Sequence, residues 1–207
     1  MCGSLRAFLW IGLLAAWVFA VGAGLRTLWS YQNVPGPAAD APAAWPEASG
    51  IPRPAGRPTL IVALHPQCPC SRATVSELAR LLAHPAERPE VHLLFVAPPT
   101  VADEWVRASL WQTAAAIAGV RVTRDDGTEA RRFGVRVSGQ VLAYDREGHL
   151  RFSGGITSAR GHEGGNAGRF AIAAMLAGRP HPASTFVFGC LLFDGDGNAA
   201  PWAGGAA

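Results

Sequence analysis

The sequence predicts an α/β domain, with a mixed central sheet flanked by helices, behind an N-terminal transmembrane helix. Near the N-terminus, residues 7–25 are apolar and carry no charge. After residue 58, short apolar runs alternate with segments of helical periodicity, which is typical of β-α-β units. Two later apolar runs flank the turn at 145–148 and indicate an antiparallel hairpin. Parallel and antiparallel strands are therefore expected in one sheet.

The N-terminal apolar segment has the length of a membrane span. Residues 7–25 lie between Arg6 and Arg26, and at about 1.5 Å per residue they just cross a bilayer core of about 30 Å. Trp10 and Trp29 lie near the two ends, where aromatic side chains act as interfacial anchors. The alternative is a signal peptide cleaved at a small-residue site. The short charged region before the span favours an uncleaved anchor, with the N-terminus cytoplasmic.

Composition divides the chain into four parts. A Pro/Ala-rich stretch without apolar periodicity follows the anchor and predicts an extended linker. A domain and a flexible tail complete the chain. The predicted boundaries are 1–28 for the anchor, 29–57 for the linker, 58–193 for the domain and 194–207 for the tail.

The motif Cys68-Pro69-Cys70 lies where a predicted strand ends and a predicted helix begins. Pro69 suits the first helical position, which makes Cys68 the N-cap. The positive end of the helix dipole stabilises an anion there, so the pKa of Cys68 should be low and its thiolate reactive. We predict that Cys68 is the nucleophile, partly because the cap position is expected to be the more exposed. A structural disulfide or two inert buried thiols are the alternatives.

The remaining elements follow in a regular order. We predict a buried strand parallel to the first, one long helix, a short strand, a helical turn, the hairpin and a last amphipathic helix. These correspond to residues 90–97, 103–119, 120–123, 127–133, 140–152 and 166–177.

Cys190 is a third candidate thiol. Side chains two positions apart on a helix diverge, so a disulfide between Cys68 and Cys70 would be strained. The chain after residue 178 is long enough to return to the motif at about 3.3 Å per residue. Cys190 is then a resolving thiol or a third metal ligand, and the alternative is a buried apolar residue.

Two histidines accompany the thiols in a metal-binding alternative. His65 directly precedes the motif, and His162 lies in a glycine-rich insertion. Soft thiolates select copper(I) or zinc(II), so this alternative has Cys68, Cys70, Cys190, His65 and His162 as ligands. If the thiols act in disulfide exchange instead, no cofactor is required.

The charge composition excludes two function classes. All 18 basic residues are arginines, so a Schiff-base lysine is excluded. Acidic and basic residues nearly balance after residue 58, so no basic surface for nucleic acid is expected.

The order of elements and three short motifs resemble the thioredoxin fold over residues 58–178. The motifs are the Cys-Pro-Cys turn, Phe133-Gly-Val-Arg136 before the hairpin, and Gly154-Gly155-Ile156 before the last helix. The pattern also resembles a bacterial group of membrane-anchored thioredoxin-like proteins called RedB-like. This resemblance implies a thiol–disulfide oxidoreductase with thiol- or disulfide-containing protein partners, held single-pass in the inner membrane with its domain in the periplasm.

The resemblance also assigns positions and shows departures. Ser71 stands where thioredoxins have the second cysteine, and Gly139 stands in place of their cis-proline. The expected substrate-binding residues are Pro69, Gly139, Gly154, Gly155 and His162. We expected a proline to be tolerated at Gly139, because X–Pro bonds adopt cis readily.

Overall fold

The computed structural model describes residues 2–194, and side chains from residue 6 onward. The chain divides into two units, which separate between Val34 and Pro35. Apart from Asp194, the predicted tail lies outside the described residues.

The first unit is a single helix, α1 (Cys2–Asn33). Within the described residues, the part Arg6–Asn33 is the one helix long and apolar enough to cross a membrane. Its length and composition agree with the predicted span. The helix continues to Asn33, so residues 29–33, predicted as the start of the linker, are helical.

The second unit contains a five-stranded mixed sheet in the order β3-β2-β1-β4-β5. Strands β1, β2 and β3 are parallel, while β4 is antiparallel to both β1 and β5. The mixed sheet and its hairpin are therefore confirmed. The strands are β1 (Thr59–Leu64), β2 (Glu90–Val96), β3 (Val120–Asp125), β4 (Gln140–Tyr144) and β5 (Leu150–Gly155). The helices are α2 (Pro69–Ala83), α3 (Asp103–Val106), α4 (Ser109–Ala115), α5 (Thr128–Arg132) and α6 (Ala167–Leu176).

Alternate residues of the strands build a core on each face of the sheet, because successive side chains point to opposite sides. One core contains Leu60 and Val62 of β1, and residues of α2, α4 and α6 pack on it. The other core contains Ile61 and Ala63, and it is covered by α5 and irregular segments from both ends of the unit.

The predicted long helix over 103–119 is wrong in detail, because two short helices occupy its place. Ala108 between them has an extended backbone, with φ −67° and ψ −165°. The carbonyl of Trp105 accepts a hydrogen bond of 3.2 Å from the Gln67 side chain. Tertiary contacts therefore interrupt a segment whose local pattern favours one helix.

The segment predicted as an extended linker packs on the second core instead. Trp45 makes edge-to-face contacts with Phe133 and Tyr144, at centroid distances of 4.9 and 5.2 Å. Ala44 pairs with His149 in an antiparallel bridge. The physical reason is that α5 covers only part of this sheet face, so apolar side chains between the prolines bury the rest.

Candidate active site

Cys68 is the N-cap of α2, as predicted. Its backbone is extended (φ −85°, ψ 129°) and Pro69 opens the helix. The Cys68 carbonyl accepts the Arg72 amide at 3.2 Å, and the Cys68 amide donates to the His65 carbonyl at 3.3 Å. The thiol therefore lies at the positive end of a 15-residue helix, where an anion is stabilised.

Cys190 lies next to Cys68, although 122 positions separate them in the sequence. Their Sγ atoms are 3.5 Å apart. A disulfide requires about 2.05 Å, so the two sulfurs need to approach by only about 1.5 Å. The three cysteines whose side chains are described, Cys68, Cys70 and Cys190, are free thiols.

A short antiparallel pairing holds Cys190 there. The Ser138 amide donates to the Cys190 carbonyl at 2.8 Å, and the Leu192 amide donates to the Arg136 carbonyl at 2.9 Å. Gly189 packs so closely that a Cβ there would be 1.8 Å from the Ser138 carbonyl oxygen. We name residues 189–192 the return segment.

Hydrogen bonds among the thiols separate their acidities. Hydrogen bonding to Cys190 lowers the pKa of Cys68 most, and hydrogen bonding to Cys70 lowers it less, because both stabilise the Cys68 thiolate. The pKa of Cys70 is raised mainly by its hydrogen bond to Cys190 and then by that to Cys68, and the pKa of Cys190 is raised by its hydrogen bond to Cys68. Cys68 is thus the thiolate of the cluster. The expected difference in exposure is wrong, since Cys68 is 4% exposed and Cys70 5%.

Two buried serines join the elements around the thiols. Ser71 Oγ and Ser138 Oγ are 2.7 Å apart. The His65 amide donates to both oxygens, at 3.1 and 2.9 Å. Ser71, in the place of the second thioredoxin cysteine, therefore connects α2 to the end of β1 and to residue 138. The sequence analysis missed Ser138, because a single serine before a glycine carries no signal. Burial lowers the pKa of the nearby His65 to about 4, so its imidazole is neutral at pH 7.

Gly139 lies between β1 and α2, as its predicted register requires. Its amide donates to the Ala63 carbonyl at 2.8 Å, and a Cβ there would be 2.9 Å from Thr74 Oγ1. Its φ is +88°, whereas proline requires about −65° and has no amide hydrogen. The expectation that a proline is tolerated at this position is therefore wrong.

Two of the other predicted substrate-binding residues are packed inside the fold. Gly154 and Gly155 are buried in β5, and a Cβ on either would lie 2.8 Å or less from atoms of Thr185 or Phe186. They provide a close backbone approach rather than an open surface. Pro69 is exposed at the start of α2.

His162 is exposed, and its ring lies beside Gly164. None of the contacts described for the chain joins it to a cysteine. Its loop is instead fixed to α2 by the fully buried side chain of Glu77. Glu77 accepts from the Gly164 amide at 2.7 Å and from Asn166 Nδ2 at 3.1 Å.

The metal-binding alternative lacks a formed site. Among the side chains that the structure describes, no group of three or more His, Cys, Asp or Glu is placed to hold a metal ion. The three thiols are of the type that binds copper(I) or zinc(II), and the sulfurs of Cys68 and Cys190 are in contact. Copper or zinc binding therefore stays a prediction.

Comparison with known proteins gives structural matches. No family model matches the chain, and no curated protein matches it. A hypothetical protein from Sinorhizobium meliloti superposes with a TM-score of 0.53 at 19% identity, covering 77% of this chain and 96% of that one. An uncharacterized conserved protein from Geobacillus kaustophilus has a TM-score of 0.54 at 18% identity, covering 83% and 96%.

A surface-exposed lipoprotein thioredoxin from Streptococcus pneumoniae also matches, with a TM-score of 0.43 at 16% identity, covering 59% of this chain and 85% of that one. The sheet order, with its parallel strands followed by an antiparallel hairpin, is the arrangement expected from the resemblance. The chain has a thioredoxin-like fold. In this thioredoxin-like domain, Cys68 ends the turn that joins β1 to α2. The RedB-like assignment stays a prediction.

Proposed function

We propose that the protein is a membrane-tethered thiol–disulfide oxidoreductase in which Cys68 is the nucleophile and Cys190 the resolving thiol. The observation that carries the proposal is the 3.5 Å distance between their sulfurs at the N-terminus of α2. The third predicted catalytic residue, Cys70, is buried in the first turn of α2.

The proposed reaction needs only a partner disulfide as oxidant. The Cys68 thiolate attacks one sulfur of that disulfide, forming a mixed disulfide and releasing the other sulfur as a thiolate. The Cys190 thiol then loses its proton, and the resulting thiolate attacks the Cys68 sulfur. A Cys68–Cys190 disulfide forms, and the partner leaves with both sulfurs reduced. The reverse sequence oxidises a partner dithiol.

The proposed location follows from α1 and from thiol chemistry. An uncleaved α1 would hold the domain at the bacterial inner membrane, on the periplasmic side, where disulfides persist. If the anchor is retained, mass spectrometry of the membrane fraction will find peptides from residues 7–25. A soluble mature protein that starts near residue 24 would indicate a cleaved signal peptide instead.

The proposed copper or zinc function has weaker support, because no group of three or more candidate ligands in the described part of the chain is placed to hold an ion. Metal analysis of the reduced protein tests it directly. Stoichiometric copper or zinc that is lost in a Cys190→Ser variant would favour this alternative.

Disulfide mapping tests the oxidoreductase proposal. The full chain in detergent, with Cys2 replaced by serine, is treated with oxidised glutathione and its linked peptides are identified. We expect a Cys68–Cys190 link in the parent and in Cys70→Ser. Cys190→Ser should stop at glutathione attached to Cys68, because a disulfide between Cys68 and Cys70 would be strained. A Cys68–Cys70 link as the main product would contradict the assignment of Cys190.

A further inference from the structure

Arg160 contacts the return segment from the loop that follows β5. Its Nη1 donates a hydrogen bond to the carbonyl oxygen of Gly189, the residue directly before Cys190. The Arg160 side chain also lies close enough to Cys190 to interact with its thiol electrostatically. The guanidinium therefore contacts the backbone of the return segment beside the proposed resolving thiol.

The loop that carries Arg160 is fixed to the helix that carries Cys68. Glu77 of α2 accepts the Gly164 amide, and its carboxylate pairs with Arg169 at 2.8 Å. Glu163 accepts from Ser76 Oγ at 2.7 Å, also on α2. Because α2 holds both Cys68 and this loop, the position of Arg160 is set relative to the nucleophile.

We infer that Arg160 is a positioning residue for Cys190, an assignment that rests on the proposed function and deepens it. The return segment has two further backbone hydrogen bonds, through Ser138 and Arg136. Arg160 adds a charged donor on the Gly189 carbonyl, and hydrogen bonds with a charged partner are about twice as strong as neutral ones. It keeps the Cys190 sulfur within reach of the mixed disulfide on Cys68, which raises its effective concentration.

The resolving step can be observed separately from the first attack. With dithiobis(nitrobenzoate) as oxidant, the Cys68 thiolate breaks the reagent's disulfide and releases one thionitrobenzoate anion. The Cys190 thiolate then attacks the Cys68 sulfur and releases the second anion, and its thiol proton passes to buffer. The two electrons lost when the Cys68 and Cys190 thiols become a disulfide reduce the reagent's disulfide to the two released anions.

The test measures both releases by stopped-flow absorbance in the full chain, with Cys2 replaced by serine. Arg160→Gln should slow the second release about tenfold or more, the factor that loss of a hydrogen bond to a charged group typically causes. The first release should keep its rate, because the hydrogen bond of Arg160 is made to the return segment. Arg160→Lys, which restores a charged donor, should recover part of the second rate.

Two matched controls separate positioning from general damage. Arg179→Gln removes the same charge from an exposed residue beyond α6 and should leave both rates unchanged. Gly189→Ala should also slow the second release, because its Cβ would meet the Ser138 carbonyl oxygen at 1.8 Å. Gly165→Ala, whose Cβ would have only ordinary contacts at 3.8 Å or more, should not.

Each outcome decides the question. A second release at the parent rate in Arg160→Gln overturns the inference, as does an equal slowing of both releases, which would indicate a general structural role. If Arg160→Gln does not fold, a normal second release in Gly189→Ala still overturns it. A parent without any second release contradicts the proposed function itself, and the inference with it.

Discussion

Three effects act on the Cys68 sulfur at the scale of a single residue. The helix start provides a positive potential, and thiols from two directions donate hydrogen bonds. Burial opposes them, because it penalises the charged form. The pKa is nevertheless lowered, since the hydrogen bonds outweigh the cost of desolvation. Cys70, on the same helix turn, has the opposite shift because it is a donor.

This difference predicts a pH profile for alkylation. Iodoacetamide reacts with thiolates, so it should label Cys68 at lower pH than Cys70, as followed by peptide mass spectrometry. Cys190→Ala should move the Cys68 profile to higher pH, because it removes the largest contribution that lowers the pKa. Labelling of Cys70 before Cys68 would reverse the assignment of the nucleophile.

At the scale of elements, α2 organises the site at two places, its N-terminus and a buried carboxylate in its interior. Its N-terminus presents Cys68, while Glu77 in its interior is fully buried and fixes the loop before α6. Glu77 is paired with Arg169 and with Arg80. A buried carboxylate with several charged and amide donors is satisfied, but removing it leaves those donors without their acceptor.

Replacing Glu77 should therefore destabilise the domain strongly. We expect Glu77→Ala to lower the free energy of unfolding by about 3 kcal/mol, the usual cost of breaking a buried ion pair. Glu163→Ala is the matched control on the same loop. Because the Glu163 side chain is 42% exposed, its loss should cost about 1 kcal/mol or less. Urea denaturation of both variants checks the prediction, and equal costs would contradict the role given to Glu77.

At the scale of the whole molecule, the domain is larger than its sheet and helices. Residues 35–57 cover the sheet face opposite α2, where Ala41, Trp45 and Ile51 pack against the second core. The Tyr144 hydroxyl donates to the Pro42 carbonyl at 3.2 Å. The return segment, through Leu192, covers another part of the same face. Both ends of this unit therefore contribute to its core.

A soluble domain should accordingly begin at Pro35 rather than Pro58. We expect the chain from Pro35 to unfold cooperatively, and the chain from Pro58 to be less stable by about 3 kcal/mol or more, since it loses a packed tryptophan. Thermal unfolding followed by near-UV circular dichroism compares the two.

Two substitutions refine that comparison. In the chain from Pro35, Trp45→Ala should remove about 2 kcal/mol, because the side chain is only partly buried. Phe186→Ala, at a residue that is 71% exposed, should change stability by about 0.5 kcal/mol or less. Equal stability of the Pro35 and Pro58 chains would show that residues 35–57 are a dispensable linker.

Local sequence determined the strand–cap–helix arrangement at Cys68, the hairpin and the apolar N-terminal helix. These features depend on proline at a helix start, on alternation and on runs of apolar residues, all of which act within a few positions. The mixed sheet followed from the order of those elements. Among the longer predicted helices, the one over 103–119 is divided in two, because the Gln67 side chain binds the Trp105 carbonyl beside the extended backbone of Ala108.

The tertiary structure alone decided which thiol meets Cys68. The sequence leaves both Cys70 and Cys190 as possible disulfide partners of Cys68. Spacing on a helix constrains only neighbouring residues, and it gives no information about a residue 122 positions away. The close approach depends on Ser138, Gly189 and Arg160, which hold the return segment from separate elements. None of these three residues stands out in its local sequence, and they come together only when the sheet and α2 have packed. The proposed chemistry therefore begins at a locally encoded cysteine and is completed by a contact that only folding creates.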